Sequence, residues 1–291
     1  MLITVLTILL VLFLLFLIFL LLICPSDPTA AYYDAFANRA YAHRGLHGGE
    51  IPENSLPAFR KAAEKGYGIE LDVGMTKDGK IVVFHDDDLA RLCGDKRKIS
   101  ETGYAQLRKL TLAGSGEHIP LLSEVLSEIA GRVPVIVEFK TCRDYKPFCD
   151  AAAEILDKYK GAFCVQSFDP RILRTLRKIR PAWMRGQLVC RQSAKGKFQN
   201  FVFTNLLLNL VSRPHFISCR ASETGSLSFR LATGLLRGLS AVWTVRSLDE
   251  LNAQCEKDAD MVIFEGFSAP TVLYNETVEQ EEVKWKISRK K

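Results

Sequence analysis

Five short apolar runs, Ala162 to Gln166, Gly186 to Val189, His215 to Cys219, Ser240 to Val245 and Asp260 to Phe264, recur through the second half of the chain with helical stretches between them. Strands joined by helices pair in parallel, and a parallel strand is buried on both faces, so it reads as a near-continuous apolar run. The rhythm therefore points to an α/β fold built on a parallel sheet. The first half supplies matching pieces. Ser55 to Lys65 reads as a helix, with Asn54 or Ser55 as its cap, Pro57 in its first turn, Leu56, Phe59, Ala62 and Ala63 along one face, and Gly66 as its stop. A second helix, Leu121 to Ala130, precedes a strand from Val133 to Lys140. Residues 87 to 120 form an excursion that carries a helix from Ser100 to Leu110 and rims the candidate site.

The chemistry concentrates between His43 and His85. In Ile69 to Val73 apolar and acidic residues alternate, so a strand there puts Glu70 and Asp72 on one face, roughly 7 Å apart. Like charges that close are tolerated when a cation sits between them, when one stays protonated, or when water screens both, as on a solvated acidic face. Ile81 to Phe84 is an apolar run ending at His85 and is preceded by the turn Lys77-Asp78-Gly79, which makes a hairpin with the acidic strand. His43 ends another short segment, Arg39 to Ala42, and Arg44-Gly45 lets the chain turn at once. Glu138 and Lys140 share a face on the Val133 to Lys140 strand, which brings a third carboxylate to a strand end. Taken alone, that pair is equally a solvated edge. Imidazole suits proton transfer near neutrality, and two histidines ending different strands beside acidic residues make a candidate site.

In order and spacing, His43-Arg44-Gly45, Glu53-Asn54-Ser55, Ala58-Phe59, Glu70-Leu71-Asp72-Val73, Thr76-Lys77-Asp78-Gly79 and His85-Asp86 resemble the signature of glycerophosphodiester phosphodiesterases. The resemblance continues in Glu138-Phe139-Lys140, Gln166-Ser167-Phe168 and Trp243-Thr244-Val245, so it covers roughly residues 39 to 270. It implies that the sheet closes into a TIM (β/α)₈ barrel, whose usual size fits the roughly 265 residues left after the N-terminal apolar segment. It implies hydrolysis of glycerophosphodiesters, or of lysophospholipid-type diesters, to glycerol 3-phosphate and an alcohol. Glu70, Asp72 and Glu138 would hold one divalent cation, Mg²⁺ or Ca²⁺, because ligands that are all oxygens select hard ions. Arg44 and Lys140 would bind phosphate, His43 and His85 would be general acid and base, and Phe168 and Trp243 would wall the site. Where the family has an acidic residue after Thr in its last strand, this chain reads Ile263-Phe264-Glu265, so its last-strand contact differs. Phospholipase D-like and phosphoinositide-cleaving barrels share the layout and are the alternative, followed by a catalytically silent membrane module that binds lipid headgroups.

Leu2 to Ile23 is an apolar run of 22 residues broken only by Thr4 and Thr7, long enough as a helix to cross a bilayer core of about 30 Å. A cleaved signal is disfavoured by the missing basic n-region, the length of the run, and the lack of a small-x-small site before Cys24-Pro25. The expected organisation is an anchor over 1–24, a linker over 25–38, the barrel over 39–275 and a charged tail over 276–291, matching a membrane-anchored bacterial type of the family. The eight cysteines include no C-x-x-C pair, which argues against a disulfide framework or a zinc site and for a reducing compartment. With Arg39 and Arg44 as the nearest basic residues after the span, the catalytic domain is expected on the cytoplasmic side of a single-pass membrane protein. Between Pro170 and Ser222 there is no acidic residue but eleven Lys or Arg, from Arg171, Arg174 and Arg177 through Lys195 and Lys197 to Arg220. Such a run asks for an anionic partner. The apolar stretch Phe201 to Val211 inside it favours a bilayer surface over nucleic acid, with a buried barrel helix as the alternative.

Overall fold

A computed structural model describes residues 1–192 and 196–274. Lys195, residue 275 and the charged tail over 276–291 lie outside the described residues. The strands are β1 (Arg39–Ala42), β2 (Gly68–Met75), β3 (Ile81–Val83), β4 (Val135–Phe139), β5 (Phe163–Ser167), β6 (Arg185–Val189), β7 (Phe216–Arg220), β8 (Leu239–Val245) and β9 (Met261–Phe264). All except β3 pair in parallel, and β1 pairs with both β2 and β9, so eight parallel strands close into a TIM barrel. The antiparallel β3 folds back on β2 through the Lys77-Asp78-Gly79 turn, the hairpin expected from sequence.

The helices are α1 (Leu2–Ile23), α2 (Ala30–Phe36), α3 (Leu56–Glu64), α4 (Ala90–Cys93), α5 (Tyr104–Leu107), α6 (Leu122–Ile129), α7 (Tyr145–Leu156), α8 (Pro170–Ile179), α9 (Lys197–Thr204), α10 (Asn209–Ser212), α11 (Leu227–Arg230), continued by a π-turn over Leu231–Leu235, and α12 (Leu248–Cys255). Ser55 caps α3 by accepting from the Ala58 N–H, and Pro57 sits in its first turn, where a missing N–H costs nothing. The helix expected over Ser100 to Leu110 is broken into a 3₁₀ turn, Ile99–Glu101, and α5. Gly103 separates the two, and Asp78 accepts from the Tyr104 N–H at 3.0 Å, so the turn of the hairpin starts the second piece.

Strand periodicity divides the core. Ile69, Leu71, Val73, Val135 and Val137 face outward onto α3, α6 and α7. Tyr41, Ile136, Cys164, Phe216, Ala241 and Ile263 form a second cluster closed by Phe36 of α2. Residues 25–38, expected as a linker, therefore include a helix that plugs the barrel, and the Tyr41 hydroxyl donates to the Phe36 carbonyl at 2.8 Å. The Phe216 ring lies over Gly186 so closely that a Cβ there would stand 2.1 Å from it.

Residues 2–18 of α1 are exposed, while Phe19, Leu20 and Ile23 pack against the barrel beside Leu206, Phe229 and Ala232. By length and composition α1 can cross a membrane. Part of the acid-free run is engaged within the fold. Arg171 pairs with Asp169, Arg180 with Asp157 and Arg220 with Glu223, and Arg185 is buried, donating to the Pro181 carbonyl at 3.0 Å. Acidic partners just outside the run reach back into it, and a strand position carries Arg185 inward.

Candidate active site

The strand ends converge as the alternation requires. Glu70 and Asp72 point inward from β2, and Asp72 lies in register with Glu138 on the neighbouring β4, so the three carboxylates meet. All three are buried, and their oxygens lie within 4.8 Å of one another. Lys140 follows β4 and donates to Glu138 at 2.8 Å and Asp72 at 3.2 Å. The Asn54 side chain donates to Asp72 at 2.9 Å.

Burial first of all, and then Asp72 and Glu138, push the Glu70 carboxyl well above the usual carboxylate range. Burial works the same way on Asp72, but Lys140, His85 and Arg44 outweigh it and hold its carboxyl below that range. Lys140 loses by burial and gains more from Glu138 and Asp72, so it is a firmly held cation.

His43 follows β1 and His85 follows β3, as expected. The backbone turns at Arg44 (φ 55°) and Gly45 (φ 79°), and a Cβ on Gly45 would stand 2.9 Å from the Ala58 backbone, so only glycine fits. Both rings are oriented through Nδ1: His43 against Glu265 at 2.8 Å and His85 against Asp86 at 2.6 Å. With Nδ1–H donated to a carboxylate, Nε2 is left as the exchangeable position. Arg44 donates to Glu53 at 2.7 Å, stands 3.4 Å from Asp72, and gives its backbone N–H to Glu70. Burial opposes its charge, but Asp72, Glu53 and Glu70 together raise its basicity.

A cavity of about 450 Å³ opens over these groups. His43, His85, Arg44, Glu70, Glu138 and Lys140 line it, as do Phe168 and Trp243, whose rings meet edge to face at 5.8 Å. Every expected site residue except Asp72 lines the cavity, and Asp72 is held to it by Lys140.

The sequence signature of the glycerophosphoryl diester phosphodiesterase family matches residues 43–226. The chain belongs to that family. Among relatives, a glycerophosphodiester phosphodiesterase of Bacillus altitudinis is 35% identical over 113 residues, 35% of this chain and 44% of the relative. The chain spans about half the length of the curated relatives it matches. A glycerophosphodiester phosphodiesterase structure from Thermotoga maritima is 29% identical, with a TM-score of 0.61 over 77% of this chain and 93% of its own. An Oleispira antarctica phosphodiesterase, solved in complex with the product sn-glycerol-3-phosphate, has a TM-score of 0.66 at 23% identity over 78% of this chain and 93% of its own, and shares the fold.

This member of the family has site groups to which the sequence motifs assign no role. Glu53 accepts from both Arg44 and Arg91, and Arg91 also donates to Asp86 at 2.7 Å, which links the two histidine-bearing strand ends through one chain of ion pairs. Arg91 comes from the 87–120 excursion and reaches the site's edge through Glu53 and Asp86. Arg220 lies over the Trp243 ring at 5.6 Å, and Arg246 stands 3.4 Å from Glu265. Position was the signal for Arg220 and Arg246, which each follow the end of an apolar run, while Glu265 stood out as the departure in the last strand.

Proposed function

We propose that the chain is a metal-dependent phosphodiesterase that hydrolyses glycerophosphodiesters to glycerol 3-phosphate and an alcohol. The observation that carries the reading is the pairing of two carboxylate-oriented histidines across one cavity that two cations line and that lies over a cluster of three buried carboxylates. A phosphodiester is an anion whose hydrolysis needs its charge offset, a proton taken from the attacking oxygen and a proton given to the leaving one.

Arg44 and Lys140 bind the phosphate, Arg44 with the fork suited to two oxygens. His43 and His85 take and give the protons at Nε2, as base and acid in an order that a pH-rate study of single variants assigns. Phe168 and Trp243 form the wall against which the glycerol or leaving group lies. The donor set fits a hard cation: Glu70, Asp72 and Glu138 offer oxygens alone, and three buried carboxylates outnumber the two cations that face them. Those three carboxylates would hold Mg²⁺ or Ca²⁺, which would supply polarisation of a phosphoryl oxygen and charge to offset the transition state.

The chain is a single-pass membrane protein in this reading, with α1 as the anchor and the catalytic domain on the cytoplasmic side. The eight cysteines, all free, support that compartment. Its substrates include lysophospholipid-type diesters at the bilayer.

The test is to incubate the purified full chain with glycerophosphocholine, a lysophospholipid and a phosphoinositol lipid, with and without chelator. Glycerol 3-phosphate released from the first, and lost with chelator, supports the proposal. Inositol phosphate released from the phosphoinositol lipid, with glycerophosphocholine left intact, would assign the chain to the phosphoinositide-cleaving barrels instead.

A further inference from the structure

Outside α1, seven large apolar side chains are exposed among the described residues: Phe198, Phe201, Leu210, Leu227, Leu235, Leu248 and Val272. The first five lie in the two excursions that follow β6 and β7, and Phe198 and Leu227 are 77% and 66% exposed. Single exposed apolar residues are ordinary, whereas a concentration of them on one sector of a barrel marks an interaction surface.

The same two excursions seat the end of α1. Leu206 from the first and Phe229 and Ala232 from the second are buried in one cluster with Ile23. The buried Asn209 donates to the Ile23 carbonyl at 2.8 Å, and the Ser26 N–H donates to the Pro214 carbonyl at 2.6 Å. An apolar helix with residues 2–18 exposed thus leaves the protein from among the segments that expose Phe198, Phe201, Leu210, Leu227 and Leu235.

Resting on the reading that α1 spans a membrane, we infer that these five residues form a collar that enters the headgroup–acyl boundary of the leaflet into which α1 passes. Continuity decides the occupant, because the helix seated between the same two excursions is itself almost wholly apolar and is fixed to them by packing and a hydrogen bond. Charge agrees with that occupant. Lys197, Arg230 and Arg237 stand exposed among the apolar residues, where they meet anionic headgroups. The second excursion starts at the cavity wall, where Arg220, Ala221 and Ser222 line the opening just ahead of Leu227.

The full chain is placed in phosphatidylcholine–phosphatidylglycerol vesicles that contain a lipid with a photoactivatable acyl chain, irradiated, digested and mapped by mass spectrometry. Adducts on residues 2–18 together with 197–210 and 227–235 are expected. Adducts on 2–18 alone overturn the collar and leave the membrane anchor standing, while adducts on neither overturn the anchor itself. Chain-to-chain cross-links through the collar in place of lipid adducts would assign the surface to a second copy and also overturn the inference. In the Phe201→Asp, Leu227→Asp variant, adducts on 197–210 and 227–235 should fall several-fold while those on 2–18 and the hydrolysis of soluble glycerophosphocholine stay unchanged. Adducts on those two segments unmoved in the variant overturn the collar.

Discussion

Glu265, the residue after β9, accepts a hydrogen bond from Nδ1 of His43, the residue after β1, at 2.8 Å. The bond holds the ring through Nδ1, and in the proposed mechanism it would stabilise the imidazolium when a proton arrives. The hydrogen bond from His43 is also the main cause that holds the Glu265 carboxyl down at about 2, so it stays ionised through the working range. Its contribution to stability is complete above the ordinary value of 4.5 and is lost as pH falls from there to about 2. Glu265→Gln should lower turnover about a hundredfold with little change in KM, because a neutral amide in place of the carboxylate cannot offset charge on the ring. Steady-state kinetics with unchanged kcat would show that the pair is structural.

The two histidines should each be needed for turnover. His43→Ala and His85→Ala are expected to reduce kcat by about 10² to 10⁴ while metal affinity and the thermal midpoint stay close to those of the unaltered chain. Near-full activity of either variant on a glycerophosphodiester removes that histidine from the mechanism.

The acidic cluster gives a metal prediction that calorimetry can read without catalysis. Mg²⁺ or Ca²⁺ should bind the full chain at one site, and Glu70→Ala or Glu138→Ala should abolish that binding. Activity removed by chelation should return with Mg²⁺ or Ca²⁺. Return with Zn²⁺ alone would refute a hard-cation site.

His215 makes stability depend on pH. Its Nδ1 accepts from the Arg185 N–H at 3.1 Å and its ring packs edge-on to Tyr32 at 5.1 Å, and accepting that hydrogen bond needs the neutral form. Burial, with Arg185 adding to it, pushes the imidazole from 6.5 down to about 3. The unfolded chain takes up that proton near 6.5 and the folded chain near 3, so stability is full above the first value and declines towards the second. In detergent, the urea midpoint should drop between pH 7.5 and 5, and the drop should be smaller in His215→Gln. Equal drops in both proteins would place the effect elsewhere.

Gly186 is a packing test. A methyl group there meets the Phe216 ring at 2.1 Å inside a closed barrel, and overpacking of this kind costs about 1–3 kcal/mol or more. Gly186→Ala should lower the thermal midpoint by several degrees, and Phe216→Leu in the same chain should restore part of the loss. A midpoint unchanged by Gly186→Ala would mean that the ring moves aside freely.

Sequence alone determined what depends on neighbours along the chain. The alternation in Ile69 to Val73 put Glu70 and Asp72 on one face, the turn Lys77-Asp78-Gly79 made the β2–β3 hairpin, and Ser55 with Pro57 started α3. Those signals are local because strand period, turn chemistry and capping act over a few residues. The spaced motifs carried the rest of the site as a resemblance to the family. Tertiary structure decided the pairings. His43 and Glu265 are 222 positions apart and touch only because β1 closes the barrel against β9. Arg91 and Glu53, 38 positions apart, clamp Arg44 because the 87–120 excursion folds back over the α3 entrance. The acid-free run read as one basic face in sequence, yet Asp157, Asp169 and Glu223 reach into it from outside and β6 turns Arg185 inward. A charge count along the chain cannot foresee such partners, since long side chains pair with whatever the fold brings within a few ångströms. The collar around α1 has the same origin: exposure of Phe198, Phe201 and Leu227 follows from which face of each helix the barrel and the helix end leave uncovered.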